Sequence, residues 1–271
     1  MRLHVLHRTV YRYSAPIHYA IQTLRLQPRP YEGLNVIEWR VEGDGRRPLP
    51  SFIDGLGNVV HCHTVDRPHT EASITVEGEV ETRRDDGVVL GTHEPLPPVF
   101  FLRTTPLTLA NDAVKELAES AGGATPLDRA HAIMHAVRDR VRYRPGTTDT
   151  LTAAAEALAQ GEGVCQDHAH LFIAAARAGG IPARYIGGYL WTGGNEAEYD
   201  AGHAWAEAHV PDLGWVGFDA ANRVCPTENY IRVSVGLDYW AAAPVRGLRR
   251  GAAEESLDVK VKVRHPGADQ Q

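Results

Sequence analysis

Hydrophobic and polar residues alternate along the first 90 residues of the chain. The alternation is clearest over residues 4–13, 36–41 and 73–80, and it has the two-residue period of a half-buried strand. Turn-forming residues separate these segments, as in Asp54-Gly55-Leu56-Gly57-Asn58. Short strands with such turns between them are typical of a β-sandwich. We therefore predict a β-rich, sandwich-like N-terminal domain over residues 1–90.

The segment that follows changes this pattern. Residues 91–100 contain Pro95, Pro97 and Pro98, and proline cannot donate a hydrogen bond to a sheet. The segment also offers little apolar surface to bury. We predict a linker over residues 91–100, followed by a second domain over residues 101–271.

Beyond the linker the apolar residues recur at helical spacing. Thr125 is a suitable N-cap, Pro126 suits the first position of a helix, and apolar residues follow at helical intervals as far as Val141. Glycines at 161 and 179–180 provide stops for two further helices. The predicted helices begin near residues 125, 152 and 165, and strand patterns return over 183–190, 203–210 and 215–219.

Cys165 lies where the glycine-rich run Gly161-Glu162-Gly163 gives way to the third predicted helix. The thiolate is the reactive form of cysteine, and the free N–H groups and dipole of a helix N-terminus stabilise negative charge. The same N–H groups can bind the oxyanion of a tetrahedral intermediate. Cys165 is therefore a candidate nucleophile, whereas we interpret Cys62 and Cys225 as small buried hydrophobic residues. Asp167, in the first turn, complements the helix dipole and is assigned a structural role.

A thiol nucleophile needs an imidazole to accept and return its proton, and a third group to orient the imidazole. In the strand pattern over 203–210, alanines alternate with larger residues, so the two sets face opposite sides of a sheet. The larger residues are His203, Trp205, Glu207 and His209. His203 is the candidate base.

The identity of the third group depends on the hairpin that follows this strand. A four-residue loop over 211–214 would place Asn222 opposite His203 and Asp219 on the other face of the sheet. A five-residue loop or a bulge would bring Asp219 onto the histidine face as a diagonal neighbour. Aspartate and asparagine can both orient such a histidine, so Asp219 and Asn222 are both candidates.

The remaining histidines are weaker candidates. His168 and His170 follow Cys165 on the same helix, where a base would compete with the backbone geometry that exposes the thiol, so we interpret both as packing or supporting groups. The run His61-Cys62-His63 contains ligand-type residues, but strand alternation points Cys62 away from its neighbours and the spacing is not that of a zinc motif. We predict no metal site, and the chemistry needs no cofactor.

The composition narrows the functional classes. The chain has 271 residues, a formal net charge of -6 and an isoelectric point near 6.1, which argues against a nucleic-acid partner. No stretch approaches the ~18 apolar residues of a membrane helix, and the N-terminus lacks the apolar core of a secretory signal. Three cysteines are a sparse, odd set, unlike a disulfide framework. We expect a cytoplasmic protein without membrane or nucleic-acid partners.

Several segments together resemble a known family. They are Gly163-Val164-Cys165-Gln166-Asp167, Gly180-Ile181-Pro182-Ala183-Arg184-Tyr185, His203-Ala204-Trp205 and Gly214-Trp215-Val216-Gly217-Phe218-Asp219. In this order they look like the bacterial transglutaminase-like superfamily, in the branch of proposed cysteine proteases with a β-rich N-terminal domain. The likeness extends over essentially the whole chain.

The resemblance implies an α+β fold, in which a papain-like or transglutaminase-like catalytic core over residues 101–271 follows the sandwich-like domain. In such a core the cysteine lies on a helix packed against an antiparallel sheet. The resemblance also implies that Cys165 is the nucleophile, His203 the base and Asp219 the orienting group, which favours the bulged or longer hairpin. The candidate substrate-contacting or supporting residues are Gln166, Asp167, His170, Trp205 and Asn222.

The chain departs from the family pattern at two positions. Asp219 is followed by Ala220-Ala221-Asn222 rather than Pro-Thr-Asn, and His168 stands where an aromatic residue such as phenylalanine is commoner. The first departure concerns the turn after Asp219. The second predicts a more polar pocket beside Cys165.

The expected function is acyl transfer through a thioester on Cys165. We predict a peptidase or amidase, in which water resolves the thioester formed from a peptide or glutamine-type amide. In the alternative, a protein-glutamine transglutaminase, an amine acceptor resolves the same thioester. A further alternative is a non-catalytic peptide-binding module, since a fold alone does not determine function. The expected partner is a peptide or protein substrate, and the sequence gives no oligomeric state.

Overall fold

Seven strands occupy residues 1–82 of the computed structural model, which describes residues 1–193 and 201–266. They are β1 (Arg2–Ile17), β2 (Tyr19–Gln27), β3 (Leu34–Gly43), β4 (Arg47–Pro48), β5 (Ser51–Ile53), β6 (Val59–Val65) and β7 (His69–Thr82). The strand segments predicted over 4–13, 36–41 and 73–80 lie within β1, β3 and β7. The prediction of a strand-rich N-terminal region is therefore confirmed.

Helices and strands are mixed in the rest of the described chain. The helices are α1 (Asp112–Ser120), α2 (Pro126–Arg140), α3 (Ala154–Gln160), α4 (Cys165–Ala178) and α5 (Tyr239–Ala242). The strands are β8 (Val88–Val89), β9 (Arg142–Tyr143), β10 (Glu162–Gly163), β11 (Ala183–Leu190), β12 (His203–Val210), β13 (Gly214–Phe218), β14 (Tyr230–Gly236), β15 (Val245–Arg250) and β16 (Glu255–Arg264). Within the described ranges, no helix has the length and apolar character needed to cross a membrane.

Two antiparallel sheets make up the N-terminal sandwich. Their strand orders are β16-β1-β7-β3-β4 and β15-β2-β6-β5. Ile74 and Val76 of β7 pack with Leu24 and Leu26 of β2 in a common core, and burial alternates along both strands. Apolar residues at every second position therefore bury one face of each sheet against the other.

The C-terminal strands differ from the predicted division of the chain. We assigned residues 101–271 to the second domain, but β15 pairs with β2 and β16 pairs with β1. Residues 245–264 thus complete the two sheets of the sandwich. The pairing joins the two ends of the chain, and the alternation within a strand does not identify its partner.

The predicted linker packs against the second part of the chain. Just before it, β8 pairs with β13. Within it, Glu94 binds Arg184, and the ring of Phe101, which follows it, is buried. The segment predicted as a linker is therefore a connection that packs against the central sheet.

The central sheet has the antiparallel order β14-β11-β12-β13-β8. Helix α4 packs on the face of β12 that carries Ala204, Ala206 and Ala208, and α1, α2 and α3 pack around α4. Small side chains at such a contact allow the helix and the sheet to approach closely. The α+β fold with helices on an antiparallel sheet is confirmed.

The predicted helices begin and end close to the expected residues. Thr125 caps α2, where its hydroxyl accepts the N–H of Asp128 at 3.1 Å. Helix α3 begins at Ala154, slightly later than predicted, and ends at Gln160, where Gly161 caps it with a φ angle of 70°. Helix α1 was not predicted, although Asn111 caps it by accepting the N–H of Val114 at 3.0 Å.

The sandwich covers the second face of the central sheet. Tyr189 and Ile231 of the sheet pack with Leu3 of β1. Asn58, from the turn between β5 and β6, bonds to the carbonyl and N–H of Val235 at 2.9 and 2.7 Å. The central sheet is therefore buried on both faces, which fixes the strands that carry the candidate site.

Candidate active site

Cys165 is the first residue of α4, as predicted. The N–H of the preceding residue, Val164, donates to the Asp167 carboxylate at 2.7 Å, and the hydroxyl of Thr148 donates to the same oxygen at 2.6 Å. A Cβ on Gly163 would lie 2.8 Å from the Cβ of Asp167, so this approach requires glycine. Asp167 therefore holds the loop that leads to Cys165.

The imidazole of His203 lies between Cys165 and Asp219. Its Nε2 is 2.6 Å from Oδ2 of Asp219, which leaves Nδ1 for the hydrogen bond with the Cys165 thiol. Burial lowers the pKa of His203, but the hydrogen bonds with Asp219 and Cys165 outweigh that effect and raise the pKa to about 10. The ring is therefore cationic at neutral pH.

Asp219 directly follows β13 and is fully buried. Its carboxylate accepts hydrogen bonds from the side-chain amide of Asn222 at 2.7 Å, from the backbone N–H of Asn222 at 3.1 Å and from the hydroxyl of Tyr230 at 2.8 Å. Burial raises the pKa of Asp219, but the hydrogen bond and charge of His203, with these other donors, hold it below its usual value. The group is an ionised carboxylate at neutral pH.

The hairpin between β12 and β13 is shorter than either alternative that we considered. Val210 pairs with Gly214, so that residues 211–213 alone connect the two strands. Asp212 and Gly214 have positive φ angles of 68° and 82°, which permits such a tight turn. The predicted four-residue loop and the five-residue or bulged loop are therefore both incorrect.

The observed register nevertheless places Asp219 on the histidine face. Ala206 pairs with Phe218, so the next position sets Asp219 opposite Trp205 and diagonal to His203. Asn222 bonds to Asp219 and has no such bond to the imidazole among the described contacts. Of the two candidates, Asp219 contacts the imidazole and Asn222 holds Asp219 in place.

Trp205 supports the imidazole from the same face of β12. Its ring stacks on that of His203 with centroids 6.1 Å apart, and it meets the Tyr230 ring edge-on at 5.4 Å. A Cβ on Gly188 of the neighbouring strand would lie 2.7 Å from the indole, so glycine makes room for it. The indole is buried and forms a wall behind the imidazole.

Two other predicted residues have partners away from the imidazole. The side-chain amide of Gln166 donates to the carbonyl of Asp149 at 3.4 Å. His170 is fully buried, its Nε2 accepts the N–H of Tyr239 at 3.0 Å, and burial lowers its pKa to about 3. His170 is therefore a neutral packing group, and Gln166 contacts the loop beside the nucleophile.

Two tyrosines near the site were not predicted. Tyr230 belongs to β14, which is not adjacent to β13 in the sheet, yet its hydroxyl donates to Asp219. Tyr143 of β9 is 44% exposed, and burial together with the charge of Cys165 raises its pKa. No local pattern marks either residue, because β9 has two residues and the contact of Tyr230 depends on the order of the strands.

Two family models match the chain. The model described as the transglutaminase-like superfamily matches residues 115–220, which include Cys165, His203 and Asp219. The model described as the bacterial transglutaminase-like N-terminal region matches residues 3–81, which span β1 to β7 almost completely.

Individual proteins show the same relationship. An uncharacterized protein of Mycobacterium leprae is 34% identical over 97% of this chain and 98% of its own length. A protein-glutamine gamma-glutamyltransferase of Pseudomonas aeruginosa is 35% identical over 32% of this chain and 14% of its own length. The structure of a proposed cysteine protease from Cytophaga hutchinsonii, 22% identical, covers 97% of this chain and 90% of that one with a TM-score of 0.76, which shows a shared fold. The chain therefore belongs to the transglutaminase-like superfamily, as the resemblance of its motifs predicted.

Proposed function

We propose that this protein is a cysteine-dependent acyl-transfer enzyme that acts on amide bonds of peptides or proteins. Cys165 is the nucleophile, His203 the acid and base, and Asp219 the orienting carboxylate. The observation that carries the proposal is the position of the His203 ring, hydrogen-bonded to Cys165 on one side and 2.6 Å from Asp219 on the other. Such a series of groups activates a thiol.

The first half-reaction forms a thioester. The cationic ring of His203 stabilises the thiolate of Cys165, which attacks the carbonyl carbon of the amide and forms a C–S bond. Free backbone N–H groups at the start of α4 donate to the oxyanion that results. His203 then gives its proton to the amide nitrogen, the C–N bond breaks, and the amine or ammonia leaves.

The second half-reaction separates a hydrolase from a transferase. Neutral His203 takes a proton from water or from an amine, which attacks the thioester carbonyl, and the C–S bond breaks to return the thiolate and the imidazolium. Asp219 remains a carboxylate throughout and stabilises the imidazolium. Hydrolysis is our first proposal, because water needs no acceptor site of its own.

Transamidation of glutamine is the second candidate. It is supported by the segment that is 35% identical to the protein-glutamine gamma-glutamyltransferase of Pseudomonas aeruginosa. Both reactions pass through the same thioester, so the acceptor alone distinguishes them.

The deciding experiment offers the purified protein a library of glutamine-containing peptides together with an isotope-labelled primary amine. New peptide termini or released ammonia without incorporated label support hydrolysis, and incorporated label supports transamidation. Cys165→Ala is the control and abolishes both products. If the wild-type protein forms no thioester and no product with any peptide, the proposal is wrong and a non-catalytic peptide-binding role replaces it.

A second test compares the three cysteines. Iodoacetamide at neutral pH should label Cys165 at least about tenfold faster than Cys62 or Cys225, because alkylation needs the thiolate. Burial raises the pKa of Cys225 to about 11, which makes it a suitable slow reference. His203→Ala should remove the advantage of Cys165. Equally slow labelling of all three thiols counts against the activated pair.

A further inference from the structure

The His168 ring is enclosed between two backbone carbonyl groups. It lies near the start of α4 and is fully buried. Its Nδ1 is 2.8 Å from the carbonyl oxygen of Val164, and its Nε2 is 2.9 Å from the carbonyl oxygen of Val141, which follows α2. Both distances are those of hydrogen bonds.

These partners determine what the ring must donate. A carbonyl oxygen can only accept, so each of the two contacts needs an N–H from the imidazole. A neutral imidazole has one N–H, and the lone pair of its other nitrogen would face a carbonyl oxygen in a buried place, which is costly. Only the ring that is protonated on both nitrogens satisfies both carbonyls.

We propose that His168 is a buried imidazolium that positions the peptide group between Val164 and Cys165. A cation at a helix N-terminus opposes the helix dipole, so it needs a compensating charge. The adjacent carboxylate of Asp167 is the compensating charge. Burial raises the pKa of this carboxyl, but the hydrogen bonds that it accepts from Thr148 and Val164, and the charge of His168, favour its ionised form. Tyr143 of β9 is another titratable group beside the ring, with centroids 6.2 Å apart.

The positioning role follows from the geometry of one peptide group. The Val164 carbonyl also accepts the backbone N–H groups of Asp167 and His168, at 3.0 and 3.1 Å, so it is anchored on the helix side. The peptide is trans, and its N–H, which belongs to Cys165, therefore points the opposite way, out of the helix N-terminus. A cation bonded to the carbonyl also polarises the peptide and strengthens that N–H as a donor.

His168 thus acts through the N–H of Cys165, which is the donor available to the oxyanion. This part of the inference rests on the function proposed above. A phenylalanine ring of similar size has no N–H to donate to either carbonyl. The two contacts are therefore specific to histidine at this position.

The protonation state can be measured without any turnover. In Cys165→Ser protein with 15N-labelled histidine, NMR at pH 7.5 should show both His168 nitrogens as N–H, with the resonances assigned by their loss in His168→Phe. His170, whose pKa burial lowers to about 3, serves as the neutral internal reference with one protonated nitrogen. If one His168 nitrogen is unprotonated like that of His170, the inference is overturned.

The positioning role has two further readouts. His168→Phe keeps a ring in the cavity, and it should move the amide resonance of Cys165 and slow thioester formation by about 10- to 100-fold with little change in KM, because an oxyanion donor is misaligned. His131→Phe is the matched control and should leave both unchanged. His131 lies on α2, and its ring meets that of Phe218 edge-on with centroids 5.1 Å apart. The positioning role is overturned if His168→Phe leaves the Cys165 amide resonance unchanged. It is also overturned if the variant keeps the wild-type near-ultraviolet circular dichroism and the wild-type rate of thioester formation.

The readouts separate this inference from the proposed function. If no peptide yields a thioester in the wild-type protein, the acyl-transfer proposal fails, while the ring nitrogens and the Cys165 amide still decide the role of His168. If His168→Phe does not fold, the His168 ring nitrogens of the Cys165→Ser protein are assigned by through-bond correlation to the backbone resonances, and they decide the inference alone.

Discussion

Strand β12 carries two buried ionic groups on the same face. At its start, His203 meets Asp219 at 2.6 Å. Further along, Glu207 meets Arg184 at 2.7 Å and Arg232 at 2.6 Å. Both carboxylates are fully buried, and in both cases burial, which raises the pKa, is outweighed by cationic partners that hold it below its usual value.

The two groups differ in the cations that they contain. A guanidinium stays protonated in proteins, so Glu207 and its arginines hold charge but cannot pass a proton. The imidazole of His203 gains and loses its proton, and it has a thiol on the side away from Asp219. Buried charge alone therefore does not mark a reactive site. A titratable partner in contact with a nucleophile does.

The Glu207 group instead joins parts of the fold. Arg184 also binds Glu94 through both terminal nitrogens, at 2.6 and 3.0 Å, and lies 3.8 Å from the centre of the Trp215 ring. Glu94 belongs to the connection between the sandwich and the helical part of the chain. The group thus fastens this connection to the central sheet.

The largest expected effect is that of His203→Ala. Without the imidazole nothing accepts or returns the proton, and thioester formation should fall by about 10⁴-fold or more. Single-turnover release of the first product measures it, with Cys165→Ala as the baseline. A loss of less than about tenfold would contradict the comparison, because His203 and Asp219 would then form a structural ion pair like that of Glu207 and its arginines.

Asp219→Asn should have the next largest effect. The amide removes the charge that stabilises the imidazolium, and kcat/KM should fall by about 10²- to 10³-fold. Asn222→Ala removes a neutral hydrogen-bond donor to Asp219, and kcat/KM should fall by about tenfold or less. The ratio of the two losses tests the assignment. If Asn222→Ala costs more than Asp219→Asn, the asparagine is the orienting residue.

Much of the candidate site was predictable because its signals are local. A glycine-rich run before Cys165 predicts a helix start, and the alternation over 203–210 predicts which residues share the face of His203. Both depend on neighbours within a few positions of the chain. In the structure α4 begins at Cys165, and the alanines of β12 face the helices, as these local signals predict.

The unpredicted features depend on backbone angles or on distant partners. The register of the hairpin depends on positive φ angles at Asp212 and Gly214. An aspartate in a sequence does not by itself predict a positive φ angle. The pairing of β16 with β1 joins segments from opposite ends of the chain. Tyr230 reaches Asp219 from a strand that is not adjacent to β13. None of these has a local signal.

Glu207→Gln tests whether the Glu207 group is structural. The change keeps the shape but removes a buried charge between Arg184 and Arg232, and it should lower the free energy of unfolding by about 3 kcal/mol. Glu38→Gln is the control and should leave the free energy of unfolding almost unchanged, because the Glu38 side chain is 63% exposed beside Arg40. Urea unfolding measures both. The folded Glu207→Gln protein should keep most of its acyl-transfer rate. If it is inactive, the two ionic groups are not functionally separate.

The two ionic groups should also give opposite pH dependences of stability. Burial raises the pKa of Glu94, but the hydrogen bonds and charge of Arg184 outweigh this effect, so that the pKa is lowered from 4.5 to about 2. A lowered pKa contributes stability that is complete above pH 4.5 and disappears as the pH falls toward 2. The unfolding free-energy difference between the wild-type protein and Glu94→Gln should therefore shrink on acidification.

For His203 the sign is reversed. Its pKa is raised from 6.5 to about 10, so its contribution is complete below pH 6.5 and disappears as the pH rises toward 10. The difference between the wild-type protein and His203→Gln should thus shrink on alkalinisation, over a range where Glu94 contributes a constant amount. Urea unfolding of the three proteins between pH 3 and pH 10 compares the two windows. A His203 difference that is flat above pH 6.5 would mean that the imidazole is not held as a cation between Cys165 and Asp219.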